Sequence, residues 1–126
     1  MTVMAIQDKL LARLQSMPGR PPIAYPNGPL VKELPRIVVQ YVPSAQRPFD
    51  MTGQTQVDAE INARIEVDQH TTTGAVGTIV AAIQDHFRPT TRFDDVTIMQ
   101  APDPRPAIPG QGVYAVPVII RGRADF

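Results

Sequence analysis

Between Val57 and Val67 the chain alternates without a break. Val57, Ala59, Ile61, Ala63, Ile65 and Val67 are apolar or small, while Asp58, Glu60, Asn62, Arg64 and Glu66 are polar. A period of two predicts a β-strand with one face against a core. The strand extends from about Thr55 to Asp68, and its alternating stretch alone spans roughly 36 Å at about 3.3 Å per residue. A domain of this size has a radius of gyration of only about 13–14 Å, so the strand crosses it from side to side. Each inward Val or Ile contributes roughly 1.5–3 kcal/mol on burial. Ala59 and Ala63 contribute less and leave room for a helix to approach. The polar face is too charged to lie beneath a helix of the same chain, so it meets solvent or another subunit.

Other elements follow from the same reading. Thr2 caps a first helix in which Val3, Ile6, Leu10, Leu14 and Met17 recur at helical spacing, and Pro18-Gly19 stops it. "PPIAYPNGPL" is extended or turn-like, since Pro22, Pro26 and Pro29 each lack a backbone donor. "PRIVVQYVP" is a short strand between Pro35 and Pro43, followed by the polar loop "SAQRPFDMTGQT". "HTTTGAVGTIVAAIQDHF" is a second helix capped by Thr72 or Thr73, with Val76, Ile79, Val80, Ile83 and Phe87 as its apolar stripe. "DDVTIMQ" alternates again, and "VYAVPVIIRGRA" is the last strand; Pro117 places that strand at a sheet edge or in a bulge. The order α-β-β-α-β-β predicts an α+β fold, with a mostly antiparallel or mixed sheet of about four strands and two helices on one face. One domain over residues 1–126 is expected.

Composition narrows the function classes. Lys+Arg and Asp+Glu are both 12, so the formal net charge is zero. That argues against a general nucleic-acid binder or a polybasic membrane anchor. No cysteine is present, which excludes thiolate chemistry and Cys-based zinc sites. The opening "MTVMAIQDKLLARLQSM" is too charged for a signal peptide, and no apolar run is long enough to span a bilayer, so a cytoplasmic product is expected. The 14 prolines are about twice average usage. They flank a proline-free middle from Asp50 to Arg88.

Candidate chemistry is sparse. The Thr71–Gly77 turn joins a strand to a helix through two glycines and could offer backbone donors to a phosphate. It lacks the Lys-Ser/Thr of a P-loop and the third glycine of a dinucleotide fingerprint. Gly74 and Gly77 are more simply a turn and a close helix–sheet contact. Asp58, Glu60 and Glu66 share a strand face, with neighbours two apart about 7 Å from each other. Paired carboxylates at that spacing could serve acid–base work or hold a cation, but Arg64 interrupts them and a solvated or intersubunit face is the simpler account. His70 reads as a surface residue. His86 reads as a partner of a helix C-terminus rather than of Asp85, because adjacent helix residues diverge. No cofactor or metal is expected.

The long alternating strand, the "TTTGAVGTIVAAIQDHF" helix and "VTIMQAPDPRPAIPGQGVYAVPVIIRGRA" together resemble the tail terminator-like proteins of long-tailed phages and phage-like gene transfer agents. The amphipathic opening helix, "IAYPNGPL" and "RIVVQYVPSA" fit the same order, so the resemblance covers nearly the whole chain. Its motifs are loose patterns of apolar residues, glycine and proline. Less aromatic character stands in the Asn-containing stretch and the final strand than the family leads one to expect, with only Tyr25 and Tyr114 there.

The resemblance implies a structural virion protein without catalytic activity. Such proteins form a ring, usually hexameric, on the last ring of major tail tube protein, stop tube polymerisation and join the tail to a head–tail connector or stopper. They sit at the head–tail interface of the virion, assembled in the bacterial host cytoplasm, and DNA passes through the channel without specific binding. On that reading Asp58, Glu60, Arg64 and Glu66 form an acidic channel wall or an intersubunit face. Arg47, Phe49, Arg105 and Tyr114 are the interface candidates, the first three as docking anchors in the Ser44–Thr55 and Ala101–Gly112 loops. Alternatives from other classes are a small enzyme or phosphate-ligand binder using the Thr71–Gly77 turn, and a neighbouring head–tail connector subunit.

Overall fold

The computed structural model describes residues 2–26, 28–29, 32–43, 47–48, 55–68, 73–109 and 113–125, with backbone alone at 47, 48, 55, 56, 73, 109 and 125. The first helix, α1 (Val3–Gln15), begins where the sequence places it, with the Thr2 side chain accepting from the Ala5 N–H at 3.1 Å. Ile6, Leu10, Leu14 and Met17 are all buried. A short β1 (Ile23–Ala24) leads to β2 (Arg36–Val42) and β3 (Arg47–Pro48). The long strand β4 (Thr55–Asp68) keeps the bounds its periodicity predicts, and α2 (Thr73–His86) follows.

Beyond α2 lie β5 (Arg92–Phe93), β6 (Val96–Thr97), β7 (Asp103–Pro104), β8 (Ile108–Pro109) and β9 (Val113–Asp125). The fold is α+β with a mixed sheet: β1 runs parallel to β2, and the other pairings are antiparallel. The sheet order is β1-β2-β4-β9-β6-β5, with β3 on β4 and both β7 and β8 on β9. The expected figure of about four strands is therefore too low, because the sheet has nine among the described residues. Six of the nine are two-residue bridges, too short to carry any periodicity. Two of them come from the proline-rich segment, which pairs piecewise along the outer edge of β9.

Pro117 shows how that edge tolerates a missing donor. It stands opposite Arg64 of β4, yet its carbonyl accepts from the Arg105 N–H at 2.8 Å on the other side. A strand residue points its nitrogen and its carbonyl the same way, so the ring nitrogen also faces away from β4 and interrupts no β4 bond. Thus β9 lies inside the sheet order, with an edge covered only in pieces.

One cluster holds the buried apolar residues of both helices and the inward face of β4, from Val57 to Val67. The helices therefore share one side of the sheet. α1 sits close because Ala59 pairs with Gly122 across β4 and β9. A Cβ on Gly122 would lie 2.7 Å from Val96 Cγ1 and 3.0 Å from Leu10 Cδ2. This is the close contact that the sequence reading assigned to Gly77, where an added Cβ would meet nothing within 4 Å.

Two further devices fix the packing. Gln7, 4% exposed, donates from Nε2 to the carbonyls of Val42 (2.7 Å) and Glu60 (3.0 Å), where β2 and β4 part. The expected "DDVTIMQ" strand is one arm of a β5–β6 hairpin whose turn residues, Asp94 (φ 47°) and Asp95 (φ 66°), are both left-handed, as a two-residue turn between twisted strands requires.

Candidate functional site

The face of the sheet opposite the helices carries the polar residues of β4. Register places Arg36, Val38, Gln40 and Val42 of β2 on one flank and Ala115, Pro117, Ile119, Arg121 and Arg123 of β9 on the other. Asp58, Glu60 and Glu66 of β4 each find a cation there. Asp58 accepts from Arg123 Nε at 2.7 Å and Nη2 at 3.3 Å. Glu60 Oε2 lies 3.4 Å from Arg121 Nε, and Arg121 Nη1 also donates to Gln100 Oε1 at 3.0 Å. Glu66 accepts from Arg36 Nε at 2.6 Å and from Arg64 Nε at 2.8 Å.

This changes the electrostatics expected of the face. An acidic wall was the reading from β4 taken alone, where Asp58, Glu60, Glu66 and Asp68 face only Arg64. The flanking strands bring Arg36, Arg121 and Arg123 against Glu66, Glu60 and Asp58, so from Asp58 to Glu66 the face is a ladder of ion pairs rather than an acidic surface. Glu66 is also not a solvated wall residue, since its side chain is only 10% exposed. Between the pairs, Asn62 buries its side-chain oxygen with no hydrogen-bond partner among the described residues.

At one end the face dips into an open depression of about 400 Å³. Asp58, Glu60, Arg121 and Arg123 line it from the strands, and Met99 and Gln100 from the segment after β6. Ala59 and Gly122, an opposed pair of β4 and β9, complete its lining. Met99 is 51% exposed.

The remaining candidates scatter. Arg105 is exposed and ion-paired with Asp103 at 3.1 Å. Tyr114, an expected interface residue, stands opposite Val67 on the core side and is half-buried against the core, because its register parity turns it toward the helices. The backbone of Arg47 pairs with Gln56, whereas its side chain and the whole of Phe49 lie outside the described residues. So do His70, Thr71 and Thr72, which leaves the phosphate-loop candidate with Gly74 and Gly77, both exposed.

Asp85 ion-pairs with Arg88 rather than His86. His86 Nε2 lies 2.8 Å from the Arg13 carbonyl at the end of α1 and 3.0 Å from Ser16 Oγ, tying the two helix C-termini together. Among the described residues no group of three or more His, Asp or Glu gathers to hold a metal ion. No helix among them is long and apolar enough to cross a membrane.

Tyr41, on the core side of β2, donates to Asp8 Oδ1 at 2.6 Å. Burial, then the hydrogen bond to Asp8, then the charge of Asp8, push its hydroxyl well above the usual phenol range.

Arg36, Arg121 and Arg123 escaped the sequence reading. Their signal was present in the alternation of "RIVVQYV" and "IIRGRAD", but only strand order and register show which carboxylate each one meets.

No family model matches the chain, and no curated protein does. A solved structure known only by a sequence identifier is similar over 95% of this chain and 96% of its own, with a TM-score of 0.60 and 16% identity. At that identity the likeness speaks for the fold alone.

Proposed function

We propose that the protein is a structural subunit of a phage-type tail: a tail terminator that forms a ring, hexameric in this family, on the end of the tail tube. The ring stops polymerisation of the major tail tube protein and presents a surface to the head–tail connector or stopper. It sits at the head–tail interface of the virion and lets DNA pass without specific binding. Its work is assembly rather than catalysis.

The observation that carries this reading is the sheet face turned away from the helices. β4 and β9 pair over 13 positions, and the side away from the helices bears Val38, Val42 and Ile119 beside internally neutralised ion pairs. Mixed apolar and paired-charge surface is what a subunit contact uses. The family resemblance along the chain supplies the kind of assembly. A neutral ladder also suits a channel wall, because retention of phosphates requires cations not already matched by carboxylates.

Electron microscopy of particles made with the gene deleted tests the reading. Tails of abnormal length without heads are expected. Tubes of normal length, with or without heads, would deny a length-stopping role and favour the connector alternative.

A further inference from the structure

We infer that α2 is a hinged helix: residues 74–80 open as a local unit while the last turn stays clasped to α1. The inference stands apart from the tail reading and concerns how firmly each end of the helix is held.

Intrinsic preference already divides α2. Gly74, Val76, Gly77, Thr78, Ile79 and Val80 are all glycine or β-branched, which leaves Ala75 as the one good helix former among them. Glycine regains the most freedom on unwinding, and a branched Cβ crowds the preceding turn. The second half has Ala81, Ala82 and Gln84, which favour the helix.

Tertiary ties divide it the same way. Arg13 Nε donates to the His86 carbonyl at 3.0 Å, and His86 Nε2 lies 2.8 Å from the Arg13 carbonyl, so the two helices cap each other's last turns. Gln84 Nε2 adds a bond to the Pro102 carbonyl at 3.2 Å. Ile83 and Phe87 are fully buried, and the Phe87 ring meets Phe93 edge-on with centroids 6.4 Å apart. The chain leaving the helix is fixed too, since the Thr90 N–H donates to the Ile98 carbonyl at 2.7 Å.

Residues 74–80 have no side-chain bond to another element among the described residues. Thr78 Oγ1 donates to the Gly74 carbonyl at 3.0 Å, inside the helix, a bond that bends a helix rather than anchoring it. Val76 is buried, Ile79 and Val80 are half-buried, and the other four are exposed. A cleft of about 100 Å³ lies between Ala75 and Leu34, Pro35, Val67 and Asp68, so the first turn sits beside the end of β4 without filling the space. Opening bares the seat of Val76 and enlarges that cleft. The other helix supplies the contrast. α1 is 13 residues long against 14, and its early turns are tied down by Gln7 to β2 and β4, by Asp8 to Tyr41 and by Lys9 to the Asp94 carbonyl.

Amide hydrogen exchange of the full chain, read residue by residue by NMR, tests the hinge. Protection at residues 78–80 is expected at least about ten-fold below that at residues 84–87, with no such step along α1. Gly77→Ala, whose Cβ meets nothing within 4 Å, should raise protection at 78–80 about five-fold and leave 84–87 unchanged. His86→Ala should bring 84–87 down toward the level of 78–80. Equal protection along α2 in the native chain would overturn the inference, because the helix would then open only as one piece. A Gly77→Ala effect spread over the whole helix, or no effect of His86→Ala at 84–87, would overturn it as well. The native profile decides the first point without requiring any variant to fold.

Discussion

Glu66 is the most tightly held charge on the outer face, 10% exposed between Arg36 (16%) and Arg64 (30%). Removing it leaves two guanidiniums close together and partly desolvated. Glu66→Ala should cost about 2–3 kcal/mol, below the ~3–5 of a fully buried pair because water still reaches the arginines. Urea midpoints of Glu66→Ala, Arg36→Ala and the double variant measure this; additive losses would show that the two side chains do not act together. The glycines give a contrast in sign. Gly122→Ala should destabilise by about 1–3 kcal/mol, since neither Val96 nor Leu10 can move away freely. Gly77→Ala, in the interior of α2 with open space around it, should stabilise by roughly 0.5–1 kcal/mol. Thermal melts of the two variants should move in opposite directions.

At the scale of elements, α1 joins the sheet through polar bonds as well as apolar ones. Tyr41 of β2 reaches Asp8, and Gln7 bridges β2 and β4. The raised proton affinity of Tyr41 makes the first bond sensitive to alkali. An unfolded tyrosine loses its proton near about pH 10, while the folded one keeps it, so the native state binds more protons there and stability falls as pH rises. Below that point the contribution is fully present. Denaturant titrations from pH 8 to 11.5 should show a decline that is reduced in Tyr41→Phe. An unchanged slope would mean that other groups carry it. Much of each element was readable beforehand: β4 and α1 have strong periods and clear stops. The small bridges were not, because a two-residue strand is defined by its partner rather than by its own side chains.

Over the whole molecule, two layers divide the labour. The helices and inward strand residues form the core, and the opposite face carries the ion-paired residues of β2, β4 and β9. If that division describes the protein's work, small ligands should do little to its stability. A thermal-shift panel of nucleotides and divalent cations should leave the melting temperature unchanged, whereas a large specific shift would favour the ligand-binding alternative through the linkage of binding to folding. Amide exchange should be slowest in β4 and β9, which are paired over most of their length, and faster in the short bridges at the rim.

By itself the sequence determined the α+β class, the long strand, both helices, and the separation of an apolar from a polar face on β4. These are local matters, since a period of two or of 3.6 commits neighbouring residues to faces whatever lies opposite. Tertiary structure decided what the polar face is. Register set Arg123 against Asp58, Arg121 against Glu60 and Arg36 against Glu66, turning an acidic-looking strand into a neutral ladder. It also turned Tyr114 toward the core, chose Gly122 over Gly77 as the place of close approach, and brought Met99 to the rim beside Asp58. Each of these pairs residues far apart in the chain, and no period within a single segment specifies its partner.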